Sequence, residues 1–314
     1  MQWIKQKTNI DFLGRKPRLT TLGIAAVAIL VCTVSLVTRG LNYGLDFTGG
    51  VLLEVSYPER ADVDAIRATL EEAGFEDAQV QRFGSDTDVL LRLPPQGEDA
   101  DPNRIRDTLS ETLAADGAGA EIRRIEFVGP QVGEDLREKG ATAMIYATLM
   151  IFIYVMFRFQ WKFAVGTVVG VAHDVIIVVG LFSMFGWQFD LTVLAAVLAV
   201  IGYSLNDTVV IFDRVRENFL SMRNRTPEEV LNRSINDTLS RTIMTGLTTL
   251  LVLMSLYLLG GETLKPFSLA LMIGVVVGTY SSVYIASATA LYLDIKPQDL
   301  VPSQKDSKLI DDLP

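Results

Sequence analysis

The chain has 314 residues, 49% of them hydrophobic, a single cysteine and a net charge of −9. A mean hydropathy of +0.32 excludes an ordinary soluble chain unless the apolar residues are gathered into segments, and the lone Cys32 excludes an internal disulfide. The charge is uneven: Arg39 to Lys139 holds 22 acidic and 11 basic residues, which argues against nucleic-acid binding by that stretch and marks an acidic soluble segment set into a mildly basic remainder.

Six apolar runs lie near residues 20–38, 141–157, 164–186, 191–213, 242–259 and 267–293. Each approaches or exceeds the about 20 residues a helix needs to cross a bilayer core. Residues 1–19 read as a short lead-in and 20–38 as the first span, with Cys32 a small packing residue inside it. That run lacks a small-residue cleavage site, so it is expected to stay in the chain. Lysine and arginine crowd the lead-in, the short segments after the second and fourth runs, and the tail, whereas the opposite loops hold only Lys265. By the positive-inside rule both termini are inside and residues 39–139 are outside.

After the first span comes Gly44-Leu-Asp-Phe-Thr-Gly-Gly50. Asp46, Gly49 and Gly50 make a shaped turn, because adjacent glycines permit backbone angles other residues avoid; whether it is only a tight turn or also functional stays open. Val51–Tyr57 alternates as a strand, and Asp62–Ala73 shows a helical face with Asp62 as N-cap and Gly74 as stop. Gln79–Phe83 and Val89–Leu93 read as strands, Arg104–Ala115 as a helix and Glu121–Val128 as a last strand. The order β-α-β-β-α-β predicts a ferredoxin-like α+β domain. It holds no histidine or cysteine and no phosphate cradle, so it is expected to be a binding or lever domain. Gly129, Pro130 and Gly133 form a hinge-like connector back to the membrane, closing the segment 39–139.

Residues 140–296 hold the second to sixth spans. In the third, Gly166, Gly170 and Asp174 recur every four residues, a spacing that marks close helix packing and turns Asp174 into the bundle. His173 is the only histidine; packing, hydrogen bonding and proton carriage are all open to it. The fourth span carries Asn206, Asp207 and Thr208, and then Asp213. A charged group in a spanning helix costs roughly 2.5–3.5 kcal/mol on insertion scales, so such a group marks an ion or substrate path. Thr226-Pro-Glu-Glu229 is a capping box that opens an amphipathic helix over about 227–240, expected to lie on the inner membrane surface. Arg241 then enters the fifth span at the level of Asp207. In the sixth, Gly274, Gly278 and Ser282 continue into Ala286 and Ala290 as a small-residue stripe, predicting that spans three and six are tightly packed neighbours. The tail, 297–314, is polar and expected to be disordered.

Five stretches together resemble the SecF family of bacterial protein-export subunits, within the resistance-nodulation-division superfamily. They are the Gly44–Gly50 turn, Val128-Gly-Pro-Gln-Val-Gly133, His173-Asp174, Gly202–Asn218 and Ser240-Arg-Thr-Ile243. The resemblance covers nearly the whole chain. It implies a six-span half of a transporter whose other half is a SecD subunit, with the acidic segment in the periplasm and both termini in the cytoplasm. It implies residence in the bacterial inner membrane and work on unfolded polypeptides passing through the SecYEG channel, with YajC as a further partner. Carried over residue by residue, the family's ion relay falls on Asp207 and Arg241; a third carboxylate, on SecD, has no counterpart here. Asn206, Thr208, Asp174, His173 and Asp213 are candidate neighbours of that path. Glu134-Asp135 after the connector departs from the single acid expected. The coupling ion is H⁺ or Na⁺, and neither a metal nor another cofactor is expected. Two alternatives carry weight: an intramembrane aspartyl protease using Asp174 and Asp207, and a lipid or small-molecule exporter of the same fold.

Overall fold

The computed structural model describes residues 9–75, 78–94, 102–115, 119–222 and 225–296. The tail 297–314, residues 1–8 of the lead-in and most of the loop after Pro94 lie outside the described residues. Six helices are long and apolar enough to cross a membrane: α1 (Arg15–Arg39), α5 (Pro130–Arg158), α6 (Trp161–Phe185), α7 (Leu191–Ser221), α8 (Pro227–Leu259) and a sixth broken into α9 (Lys265–Tyr280), a π-helical segment Ser281–Ala286 and α10 (Ser287–Tyr292). Half of the apolar window is buried in α6, α7 and the sixth span, against 11–17% in α1, α5 and α8. The first three therefore form the centre, and the others turn apolar faces such as Leu30, Ile145, Phe157 and Leu251 outward.

Between α1 and α5 lie β1 (Asn42–Tyr43), α2 (Leu45–Thr48), β2 (Gly50–Ser56), α3 (Val63–Glu72), β3 (Gln79–Arg82), β4 (Asp88–Leu93), α4 (Pro102–Ala115) and β5 (Glu121–Val128). The strands β2 to β5 pair antiparallel in the order β3-β4-β2-β5. Alternation along β2 and β4 puts Val51, Leu53, Val55, Val89, Leu91 and Leu93 on one face, where they pack with Ile66 and Leu70 of α3 and Ile105, Leu109 and Leu113 of α4. Period two on the strands and 3.6 on the helices are thus satisfied by one core. Asp62 caps α3 by accepting from the amides of Asp64 and Ala65, and Gly74 ends it at φ +92°.

Four expectations change. The first span begins before residue 20: α1 starts at Arg15, because Pro17 sits in the first turn, where its missing N–H costs little. The hinge-like Gly129–Gly133 connector is the start of α5 itself, with Gly129 as N-cap and Pro130 in the first turn. The helix over 227–240 is not a separate surface helix; it runs unbroken into the fifth span as α8, since no proline or glycine interrupts Ser240-Arg241-Thr242. Its apolar stripe is buried by protein rather than lipid: Val230, Leu231 and Ile235 pack with Phe12, Leu13, Phe212 and Phe219. The segment before α1 is strapped onto it, with the Ile10 amide donating to Asn236 Oδ1 and the Phe12 amide to Asn232 Oδ1. Finally, the short connection after α6 forms β6 (Gln188–Phe189), which pairs in parallel with β1. Partners this far apart in sequence leave no periodic signal.

Candidate functional site

The site is built on α7. Asp190 caps it, accepting from the Val193 amide at 2.8 Å, and the buried side of the helix carries Ser204, Asp207, Thr208 and Ile211. Asp207 is buried, and its Oδ2 has no hydrogen-bond partner among the described residues. The hydroxyl of Tyr203, one turn earlier, is likewise buried without a partner. Native structures leave few buried polar atoms unpaired, because each forfeits its hydration. Two orphans one turn apart on the same helix mark a place prepared for something else. Gly246 of α8 faces the same spot: a Cβ there would lie 3.8 Å from Thr279 Oγ1 and 3.9 Å from the Tyr203 hydroxyl.

Arg241 is on α8, exposed, and its charge acts on Asp207. Among the described residues no salt bridge within 4 Å joins the two. Of the expected neighbours, Asn206 is exposed, away from the buried side of α7. Thr208 turns its hydroxyl to the Ser204 carbonyl of its own helix at 3.1 Å. Asp213 belongs elsewhere, paired with Arg158 of α5 at 2.6 Å. Close to it, Arg214 grips Asp237 through Nε at 3.0 Å and Nη2 at 2.8 Å, tying α7 to α8.

Asp174 sits in a second buried cluster. Its Oδ2 accepts from Ser204 Oγ at 2.6 Å and Ser281 Oγ at 2.7 Å, and its Oδ1 lies 3.0 Å from His173 Nδ1. The His173 ring lies beside Tyr280, whose hydroxyl donates to the Thr21 carbonyl of α1. Asp174 is therefore fully partnered and joins α6, α7 and the sixth span, while Asp207 is not. Ser204, Ser281 and Tyr203 were missed from sequence. Ser204 carried a faint signal, being a polar residue one turn before Asp207.

The glycine spacing is read differently by the structure at its two ends. Gly166 and Gly170 meet the sixth span: a Cβ on Gly166 would lie 2.7 Å from the Ala286 carbonyl, and one on Gly170 3.6 Å from the Ala286 Cβ. Gly274 instead packs on α7, against the side chain of Val200, while Gly278 faces both helices: a Cβ there would lie 3.2 Å from the Ser204 Cβ and 3.5 Å from Asp174 Oδ2. The π segment that follows them, Ser281–Ala286, adds a residue to the turn and rotates the positions after it. Ser281, three residues after Gly278, faces Asp174, whereas the Ser282 hydroxyl donates to the Thr279 carbonyl. Cys32 is buried against Gly180 of α6.

The two glycine motifs meet. Gly49 (φ +70°) and Gly50 (φ +120°) follow α2, and a Cβ on Gly50 would strike the Leu93 carbonyl. A Cβ on Gly133 would lie 3.0 Å from the Gly49 amide nitrogen and the Phe47 carbonyl. Asp46 reaches across to α7, its Oδ2 accepting from the Leu191 amide at 2.9 Å. Gly133→Val is expected to cost about 1–3 kcal/mol, the usual range for overpacking, while Gly129→Ala, whose Cβ meets nothing, stays neutral. Thermal unfolding of the two variants in detergent decides it, and equal melting temperatures would remove the contact from consideration.

Residues 108–296 match the family model described as protein export membrane protein SecD/SecF, C-terminal, and residues 34–57 match the SecD/SecF GG motif. The protein translocase subunit SecF of Pseudomonas aeruginosa is 48% identical over 98% of both chains, and that of Vibrio alginolyticus 43% identical over 100% of this chain and 99% of the other. The crystal structure of SecDF from Thermus thermophilus, a translocon-associated membrane protein, aligns at 38% identity with a TM-score of 0.80 over 93% of this chain. A SecDF structure in a super-membrane-facing form aligns at 37% identity and a TM-score of 0.67. The chain spans about two fifths of the solved SecDF chains, 39% and 41%. A polytopic helical membrane protein with a four-stranded antiparallel sheet between its first two spans, the chain belongs to the SecD/SecF protein-export family, among its SecF translocase subunits.

Proposed function

We propose that the chain is the ion-binding half of a gradient-driven accessory to the Sec translocase. It works with SecD in the bacterial inner membrane to promote export of unfolded polypeptides through SecYEG, in association with YajC. It acts as a transport accessory rather than an enzyme. The observation that carries the ion role is the buried, unpartnered Asp207 Oδ2 beside a cation that does not close an ion pair on it. A carboxylate in a low-dielectric site binds a proton or cation differently as a neighbouring positive charge approaches or withdraws, and coupling requires two states with different ion affinity. H⁺ and Na⁺ both remain suited to such a site. The drive available is about 2.3 kcal/mol per charge per 100 mV, plus about 1.36 kcal/mol per unit of pH difference.

The exposed side of α7 fits a paired subunit. Ala195, Ala199, Gly202 and Asn206 are exposed along one edge, and small residues let helix backbones approach. A SecD helix seated there would close the site and bring the carboxylate this chain lacks. The acidic domain reads as ferredoxin-like and periplasmic, with both termini in the cytoplasm; its strand order and two helices on one face support the first, the distribution of lysine and arginine the second. A protease would need Asp174 free to share a water with Asp207, yet Asp174 is engaged by two serines and His173. The test is isolation of the tagged chain from membranes. SecD and the channel should co-isolate, and depletion should remove the gradient-stimulated part of secretion. Depletion without effect on secretion would refute the reading.

A further inference from the structure

Arg92 stands on β4 where the soluble domain meets the rim of the helical bundle. Its Nη1 donates to the Tyr43 carbonyl at 3.0 Å. Its Nη2 is buried and has no partner among the described residues. Guanidinium is a fixed fork that gains most from a carboxylate accepting two N–H groups at once, so a single carbonyl leaves half of it unused.

Two carboxylates are at hand. The charges of Asp190 and Asp46 both act on Arg92 and counter the effect of burial, which pulls its guanidinium below the usual range. Gly44, next to Tyr43, packs on Asp190: a Cβ there would lie 2.7 Å from the Asp190 Cβ. Both acids hold the first turn of α7. Asp190 Oδ1 accepts from the Val193 amide and from Thr192 Oγ1 at 2.6 Å, and Asp46 Oδ2 accepts from the Leu191 amide. Arg92 lines a cavity of about 280 Å³ with Tyr43, Gly49 and Leu93, and Asp46 and Asp190 line one of about 270 Å³. The guanidinium thus has open space on its own side and acceptors on the other.

We propose that Arg92 is an ionic latch between the soluble domain and α7, resting on the Tyr43 carbonyl in the state described here and engaging Asp46 and Asp190 through its free Nη2 when the domain shifts. From Leu191 to Asp207 is about 24 Å of helix at 1.5 Å per residue. A rigid α7 therefore carries a displacement at the ion site to the latch, and the latch carries it to the soluble domain. This role rests on the ion-coupled reading above.

The experiment uses the full chain with its SecD partner in inverted vesicles and measures secretion with and without an imposed ion gradient. Arg92→Gln keeps a polar N–H side chain, though a shorter one, and removes the charge. It should reduce gradient-driven stimulation at least tenfold, with assembly and gradient-free secretion unchanged. Arg92→Lys should keep part of the stimulation. Asp46→Asn should also lose stimulation, and the double variant Asp46→Asn with Arg92→Gln should be no worse than the poorer single one, as for residues acting through one contact. Full stimulation in Arg92→Gln overturns the latch, as do losses that multiply in the double variant. Lost assembly in Arg92→Gln also overturns it, since the cation would then serve folding alone. Asp207→Asn in parallel separates the two claims: if it keeps stimulation while Arg92→Gln loses it, the ion relay fails and the latch stands.

Discussion

Asp207→Asn is expected to insert and assemble like the parent chain yet lose all stimulation of secretion by an imposed ion gradient. Insertion survives because the change removes a charge from a spanning helix rather than adding one. Stimulation fails because an amide cannot take up and release a proton or hold a cation by charge. Arg241→Met should fail too, since it removes the cation whose charge acts on Asp207 and with it the difference between the two states. Arg241→Lys should keep part of the activity, because a point charge does not reproduce the planar guanidinium. A static ion pair locking α7 to α8 predicts the reverse: single variants would lose assembly, and the neutral double variant would recover assembly and function. The unpartnered Asp207 Oδ2 speaks for the relay. Secretion in inverted vesicles, with and without the gradient, is the measurement. Full stimulation in Asp207→Asn would falsify the ion-relay assignment.

Gly166→Leu should destroy the folded bundle. The atom a Cβ would meet is the Ala286 carbonyl oxygen at 2.7 Å, part of a helix backbone that cannot rotate away as a side chain does. Ordinary overpacking costs about 1–3 kcal/mol; here a leucine must push α6 from the sixth span and open the cluster in which Asp174 binds Ser204 and Ser281. The loss should appear as aggregated or degraded protein on size-exclusion chromatography. Gly170→Ala is the control, its added Cβ lying 3.6 Å from the Ala286 Cβ, an ordinary contact. A monodisperse Gly166→Leu with the parent melting temperature would show that α6 and the sixth span do not depend on this approach.

Much of this was legible in the chain because the signals are local. Twenty-residue apolar runs report spans by length alone, and the alternation of Val51, Leu53 and Val55 against the helical spacing of Ile66 and Leu70 reports strand and helix by period. Asp207 and Asp174 announced themselves through the cost of a carboxylate among valines and isoleucines. The small-residue spacing at Gly166 and Gly170 reported close approach to the sixth span, though not that Gly274 would turn to α7 instead. Local signals also misled. Glycine and proline at Gly129–Gly133 suggested a hinge-like connector ahead of the helix, but Gly129 as cap and proline in the first turn begin a helix just as well. The amphipathic stripe of Leu231 and Ile235 suggested a surface helix, though the same stripe serves a protein core.

What only the tertiary structure decided involves partners distant in sequence. Asp174 is engaged by serines 30 and 107 residues away, and no periodicity encodes that choice. On the sixth span Asp174 takes Ser281, three residues after Gly278, and not Ser282, which the four-residue stripe selects. Asp46 reaches the Leu191 amide over 145 residues because β1 and β6 pair at the bundle rim. Composition placed charges in the membrane; packing determined that one carboxylate would be satisfied and the other left open, since a hydrogen bond depends on which helix faces which, and helix faces are matched by the whole bundle at once.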